Sequence, residues 1–334
     1  MMTSRERVRA ALHHTAPDRA PRDLWALPYI SLFRKKELEE LLRKYPLDFE
    51  SPEFSPGSSD KDLRKYAQAG TYTDEWGSVW HVGEPGVVGE VKDPILGEWS
   101  RLTHFRPPRD TTRADEWNHV NRMCESSTKF MISATCARPF ERLQFLRGTE
   151  NLYIDLAYDT PEVRTLIAMV HEYYMNEVSL WARTSVDAVM LMDDWGSNTS
   201  LLIRPEMWRA IFKPIYKDYC ETIHGEGKSV FFHSDGNIEA IYPDLIEVGV
   251  DVLNSQLFCM DIEGLGARYS GKVTFWGEID RQHILPFGSP ADVGAAVRRV
   301  RTALDRGKGG VIAQCEWGKD NPRENIEAVF RAWE

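Results

Sequence analysis

From residue 130 onward, short apolar runs alternate with helical stretches in a strict order, and this alternation limits the fold more than any other feature. Strand-like runs fall at 130–134, 187–192, 229–233, 251–254, 273–276 and 310–314. Helical patterns fill the gaps at 139–146, 160–182, 205–224, 238–248, 261–268 and 290–305, with a last one at 322–333. The runs are nearly continuous in apolar residues, as strands are when helices cover both faces of a sheet. Strands alternating with helices imply a parallel sheet. An open doubly wound sheet would carry a Gly-rich phosphate turn after its first strand, and none is present. Gly225-Glu226-Gly227-Lys228-Ser229 has Thr222 where a phosphate loop needs glycine, and it precedes a strand instead of opening a helix. The expected fold is therefore α/β: a (β/α)8 TIM barrel formed by one domain over residues 1–334.

Upstream of the regular region the pattern is looser. Thr3 and Glu6 have capping-box spacing ahead of the stripe Val8, Ala11, Leu12. A buried strand is expected at 24–30 and helices at 36–45 and 113–124. Residues 51–110 are rich in Gly, Pro, Ser and aromatics, with alternating runs at 71–82 and 86–91. They predict an irregular, hairpin-containing insertion whose Trp76, Trp80 and Trp99 pack on a neighbouring layer.

Charge and cysteine usage narrow the function classes. Asp and Glu number 51 against 41 Lys and Arg, without basic clusters, so a phosphate-tracking nucleic-acid binder is excluded. No apolar run approaches the ~20 residues of a membrane-spanning helix. Met1 to Arg9 lacks the apolar core of a secretory signal. Five scattered cysteines, at 124, 136, 220, 259 and 315, fit free thiols. A cytoplasmic protein is expected.

In a parallel barrel the chemistry sits at the C-terminal ends of the strands. Those ends carry Asp193-Asp194, His233 with Asp235, Asn254 with Gln256, Glu278 with Asp280, and Gln314-Cys315-Glu316. Asp193 and Asp194 cannot both face inward if extended; Asp194 is expected in the cleft, with Asp193 capping or pairing with Arg204. His233 and Asp235 can share a metal or a proton, or His233 can simply close its strand on backbone. Glu278 and Asp280 share a face if extended. They can hold metal, work as acid and base, or cap the turn before the next helix. Cys315 can be a thiolate ligand or a small buried residue.

These residues, with their neighbours, resemble the uroporphyrinogen decarboxylase superfamily, which also holds cobalamin-dependent methyltransferases on the same barrel. The resemblance rests on Pro17-Asp18-Arg19-Ala20-Pro21, Asp74-Glu75-Trp76-Gly77, Asp193-Asp194-Trp195-Gly196 and Pro205-Glu206-Met207-Trp208. It continues in Phe232-His233-Ser234-Asp235-Gly236, in Gly249-Val250-Asp251-Val252-Leu253-Asn254, and in Phe275-Trp276-Gly277-Glu278-Ile279-Asp280 with Leu285-Pro286-Phe287-Gly288. True decarboxylases of this superfamily carry an Arg-x-x-Gly-Arg loop after the first strand to hold propionates. Here Trp25-Ala26-Leu27-Pro28-Tyr29-Ile30 stands there, and a polycarboxylate without cationic partners is costly to bind.

The resemblance thus implies the methyltransferase branch: transfer of a methyl group between a small methylated substrate and a corrinoid on a partner protein. Decarboxylation of a tetrapyrrole or other acid, and non-catalytic corrinoid or small-ligand binding, are the alternatives. The branch's zinc, held by His-x-Cys and a distant Cys, maps onto His233-x-Asp235 and Cys315. The expected zinc ligands are therefore His233 and Cys315, with Glu278 or Asp235 as the third. Asp194, His233, Asp235 and Glu278 are the expected catalytic groups, and Asn254 and Gln256 the expected cofactor contacts. The branch is compatible with a homodimer.

Overall fold

The computed structural model describes residues 2–52, 63–109, 114–135, 137–305 and 307–334. Eight parallel strands form a TIM barrel: β1 (Arg22–Ala26), β2 (Phe49–Glu50), β6 (Phe130–Thr135), β7 (Ala188–Met192), β8 (Ser229–Ser234), β9 (Val252–Ser255), β10 (Thr274–Trp276) and β11 (Val311–Trp317). The hydrogen-bonded order is β1-β11-β10-β9-β8-β7-β6-β2. Alternate residues divide between two cores, as the two-residue period of a strand requires. Phe49, Phe130, Ile132, Met190, Phe231, Val252, Trp276 and Ile312 fill the barrel, joined by Val8 from the N-terminal helix. Val189, Val230, Phe232, Leu253, Phe275, Ala313 and Cys315 belong to the larger core between sheet and helices.

β2 is only two residues long, so the barrel is closed between β1 and β2 largely by one side chain. Asp48 N donates to Arg22 O at 2.9 Å, and Arg22 N donates to Asp48 Oδ2 at 2.7 Å. The fully buried Asp48 carboxylate also accepts from Arg7 Nη1 and Arg19 Nη1, each at 2.7 Å, and from Ser4 Oγ at 2.8 Å. Arg7 and Ser4 stand on the helix Ser4–Leu12, whose Thr3/Glu6 capping box forms in full.

The insertion is a separate antiparallel sheet of β3 (Gly70–Thr73), β4 (Val79–Val82) and β5 (Glu90–Asp93). Its tryptophans pack outward onto the barrel's helices. Trp76 meets Tyr173 edge to face at 4.5 Å and lies under the Arg142 guanidinium at 4.8 Å. Trp80 packs on Phe145 at 4.7 Å, and Arg147 covers Trp99 at 4.1 Å. The buried pair Arg142–Asp74, at 2.8 Å, fastens the sheet to the helix Pro139–Arg147.

Two expectations change. The strand expected at 24–30 stops at Ala26, because Pro28 starts a helix, Pro28–Phe33, at its first position. The eighth strand, Phe49–Glu50, had no recognisable pattern. Cys136 and the start of the helix expected at 113–124 lie outside the described residues; that helix is described over Ala114–Ser126. Among the described residues no helix is long and apolar enough to cross a membrane.

Hydrogen bonds and the flanking arginines hold the Asp48 carboxyl below its ordinary range despite its burial. A depressed folded-state value means that its stabilisation is present above the ordinary carboxylate range and is lost as pH falls below it. Asp48→Ala removes the acceptor shared by Arg7, Arg19, Ser4 and the Arg22 amide, leaving Arg7 only Asp18 as a carboxylate partner, and should lower unfolding free energy by about 3 kcal/mol. Urea denaturation at neutral pH checks this, and the difference from the parent should shrink in acid.

Candidate active site

At the end of β7 two adjacent aspartates divide the work. Asp193 is buried and caps the helix Pro139–Arg147. Its two oxygens accept from Phe140 N and Glu141 N, each at 2.8 Å, and Tyr216 OH adds a bond of 2.5 Å. Burial pushes its carboxyl up to about 7. Asp194 turns into the barrel mouth. Its Oδ1 accepts from Asp235 N at 2.9 Å and lies 3.5 Å from His233 Nε2. Burial also raises its carboxyl; His233 opposes this and Asp235 adds to it.

His233, nearly buried at the end of β8, has a fixed tautomer. Asn254 uses its Nδ2 to donate to Trp276 O and to Gln314 Oε1, the latter at 3.2 Å. Asn254 Oδ1 must then accept from His233 Nδ1, at 2.6 Å. The proton of neutral His233 therefore sits on Nδ1 and the lone pair on Nε2. Nε2 faces Asp194 Oδ1 and Asp235 Oδ1, the latter at 3.4 Å. Asp235 Oδ1 is shut off from solvent and has no hydrogen-bond partner. One donor atom each from Asp194, His233 and Asp235 lies within 4.8 Å of the others. Trp25 covers the imidazole at 4.8 Å.

A single guanidinium organises the other acids. Arg281 pairs with Asp235 Oδ2, with Glu316 Oε2 at 2.8 Å and with Glu278 Oε1 at 3.5 Å. Glu278 is buried and makes no hydrogen bond through either oxygen. Burial drives its carboxyl well above the ordinary range, against the pull of Arg281. Burial also raises Glu316. Gly277 has a φ of +66°, and a Cβ there would stand 2.2 Å from Gln314 Oε1, so only glycine fits beside this amide.

Strand parity corrects the expected ligand set. Ile312 faces the barrel interior, and Gln314 and Glu316 share its side; Cys315 points into the helix-facing core. Burial raises its thiol well above the ordinary range, and nearby acids add to this. A buried neutral thiol on the far face of the strand cannot join His233 on a metal. Asn254 has no amide left to offer a cofactor, since it holds His233, Trp276 O and Gln314; Gln256 Oε1 accepts from Gly236 N at 3.0 Å. Asp280 caps the turn through the amides of Gln282 and His283, each at 2.9 Å.

Beside this cluster the mouth opens into a cavity of about 680 Å3 under the insertion sheet. Its walls include Trp25, Phe49, Tyr66, Tyr72, Trp80 and Trp276, with Asp23, Arg138 and Glu141 among the polar groups. Sequence reasoning missed Arg281, Arg138 and Glu141. Arg281 follows directly on Asp280, and so many acids in one cleft demanded a cation. Arg138 and Glu141 flank the start of the helix after β6, a strand end that the residue list had passed over.

Arg281→Met would leave buried Glu278 and part-buried Asp235 and Glu316 without their shared cation. We expect a loss of about 3 kcal/mol at pH 8. Because Glu278 and Glu316 bind protons more tightly folded than unfolded, the variant should regain stability as pH falls. Chemical denaturation at pH 8 and pH 5 reads both effects; equal losses at the two pH values would contradict the assignment.

A methyltransferase from Methanosarcina mazei shares the fold with a TM-score of 0.71 and 13% identity, over 100% of this chain and 98% of that one. An endo-β-1,4-xylanase from Gloeophyllum trabeum aligns over 97% of this chain and 98% of its own, at 10% identity and a TM-score of 0.49. No curated protein sequence matches significantly. The family model for uroporphyrinogen decarboxylase (URO-D) matches residues 81–334, which begin within the insertion's β4 and take in every barrel strand from β6 to β11. The chain belongs to the uroporphyrinogen decarboxylase (URO-D) family.

Proposed function

We propose that this chain is a methyltransferase that moves a methyl group between a small methylated substrate and a corrinoid carried by a partner protein. The observation that carries the proposal is the charge of the mouth. Of the two guanidiniums described there, Arg281 is taken by three carboxyl groups, and Arg138 stands beside Glu141. Among the described residues a tetrapyrrole with many carboxylates finds no cationic cradle there, whereas a small, largely apolar substrate fits the aromatic cavity. The fold shared with the Methanosarcina methyltransferase is consistent with this reading.

Asp194, His233 and Asp235 suit a divalent ion such as zinc. The imidazole lone pair is aimed between two carboxylates, and Asp235 Oδ1 is a buried acceptor left without a donor. The ion would supply Lewis-acid polarisation of the atom that carries the methyl group. The chain's own residues do the rest. Asn254 keeps the lone pair of His233 on Nε2. Arg281 grips Asp235 by Oδ2 and leaves Oδ1 turned to the imidazole. Glu278 stores a proton that a departing oxygen or nitrogen can take. The corrinoid, bound by its own carrier, would give or receive the methyl carbon at its cobalt.

Elemental analysis of protein purified without chelators should find about one divalent ion per chain. His233→Ala and Asp235→Asn should each lose it, whereas Cys315→Ala should keep it. A folded, active protein free of metal would instead assign the three residues to proton transfer. Assays with a reduced corrinoid carrier should detect methyl exchange, and uroporphyrinogen should remain unchanged by chromatography. Stepwise decarboxylation of uroporphyrinogen would overturn the proposal.

A further inference from the structure

The cavity has two aromatic walls. On the barrel side Trp25 and Trp276 meet at 90° with centroids 5.1 Å apart, and Phe49 lies 6.3 Å from Trp276. On the insertion side Tyr72 and Trp80 stack nearly parallel at 5.9 Å. The Lys65 ammonium stands 4.9 Å and 5.0 Å from the Tyr66 and Tyr72 centroids, so rings of this wall already hold a cation. Between the walls are Asp23 and Glu141. Asp23 is buried and accepts from Trp276 Nε1 at 2.9 Å. Glu141 Oε2 is closed off from solvent and has no hydrogen-bond partner.

Charge decides what such a cavity takes. Among the described residues the cavity is lined by Asp23, Glu50 and Glu141 against Arg138, with the Lys65 ammonium beside Tyr66 and Tyr72, so acids outnumber cations there. Uncompensated carboxylates out of water are costly. A neutral aromatic ether would cover the rings and leave the acids as they are. A methylated carboxylic acid would add charge of the wrong sign. A bulky, weakly hydrated cation meets both demands, because its charge is drawn to the ring faces and to the carboxylates while its methyl groups are buried.

We propose that the cavity between Trp25, Trp276, Tyr72 and Trp80, with Asp23 and Glu141 between its walls, binds a methylated organic cation of the quaternary-ammonium class. The inference rests on the methyl-transfer reading and names its substrate class; a quaternary nitrogen has no lone pair, so this step uses neither Lewis-acid polarisation nor the Glu278 proton. The step balances without an oxidant or a proton. The C–N bond pair stays on nitrogen, and a reduced, nucleophilic corrinoid on the partner provides both electrons of the new bond to the methyl carbon. The departing tertiary amine is neutral.

Isothermal titration calorimetry on the protein as purified tests this without any corrinoid. The probes are choline, its neutral isostere 3,3-dimethylbutan-1-ol, and 3,3-dimethylbutanoate. Choline should bind at least about tenfold more tightly than the alcohol, and the anion should bind least. Glu141→Gln should weaken choline and leave the alcohol unchanged. The comparison among ligands on the parent protein does not depend on how that variant folds. No choline binding, equal binding of the alcohol, or preference for the anion overturns the inference. Demethylation of a neutral methyl ether by protein that ignores choline would remove the cation and leave methyl transfer standing. Choline binding without methyl transfer to any corrinoid would do the reverse.

Discussion

The Asp48 carboxylate joins the two ends of the sheet, and everything at the mouth depends on that closure. A parallel barrel normally closes by a ladder of backbone bonds. Here β2 offers two residues, too few for one. The carboxylate replaces the missing rungs by accepting the Arg22 amide while Arg7, Arg19 and Ser4 hold it in place. The same contacts tie the N-terminal helix across the barrel floor, where Val8 enters the inner core. Only in a closed barrel do the ends of β7, β8, β9, β10 and β11 converge on one mouth. His233, Asn254, Trp276 and Gln314 are joined by hydrogen bonds across four of those strands.

The mouth is built against its own charge. Water would ionise these carboxyls readily, but the barrel withdraws them from water and offers few cations. Three responses are visible. Asp193 spends its charge on helix amides and Tyr216. Asp235 and Glu316 lean on Arg281. Glu278, with the longest contact to that guanidinium, has its carboxyl driven well above the ordinary range by burial. Acids of similar intrinsic strength thus meet different surroundings on one rim.

Much of this was legible before any coordinates, for reasons of range. Strand ends and helix caps are local, so the alternating pattern placed Asp194, His233, Asp235 and Glu278 on one rim. Cys315 went astray although its signal was present. Polar Gln314 and Glu316 alternate with apolar Ala313, Cys315 and Trp317, and that period alone turns Cys315 toward the helices. Asn254 and Gln256 looked free because their partners, His233 at the end of β8 and Gly236 in the turn after it, are distant in sequence. The cavity was out of reach for a similar reason. Tyr66, Tyr72 and Trp80 come from the insertion and meet Trp25 and Trp276 only after the fold has formed.

Asp235 links the two halves of the site. One oxygen belongs to Arg281, and with it to Glu278 and Glu316; the other faces His233 and Asp194. A cation arriving at His233 would engage the free oxygen without displacing the guanidinium from the other, so the same carboxylate can serve both at once. If Asp235 were instead a cysteine, as in the thiol-methylating branch, it would present a single soft donor and Arg281 would lose a partner. The aspartate therefore changes more than the softness of a metal site. It couples the charge held at His233 to the guanidinium that also faces Glu278. Positive charge gained on one side of Asp235 lessens what its carboxylate gives Arg281 on the other and strengthens the field that Glu278 feels. Under the proposed function, a cation in the ligand half would therefore lower the proton affinity of the Glu278 carboxyl.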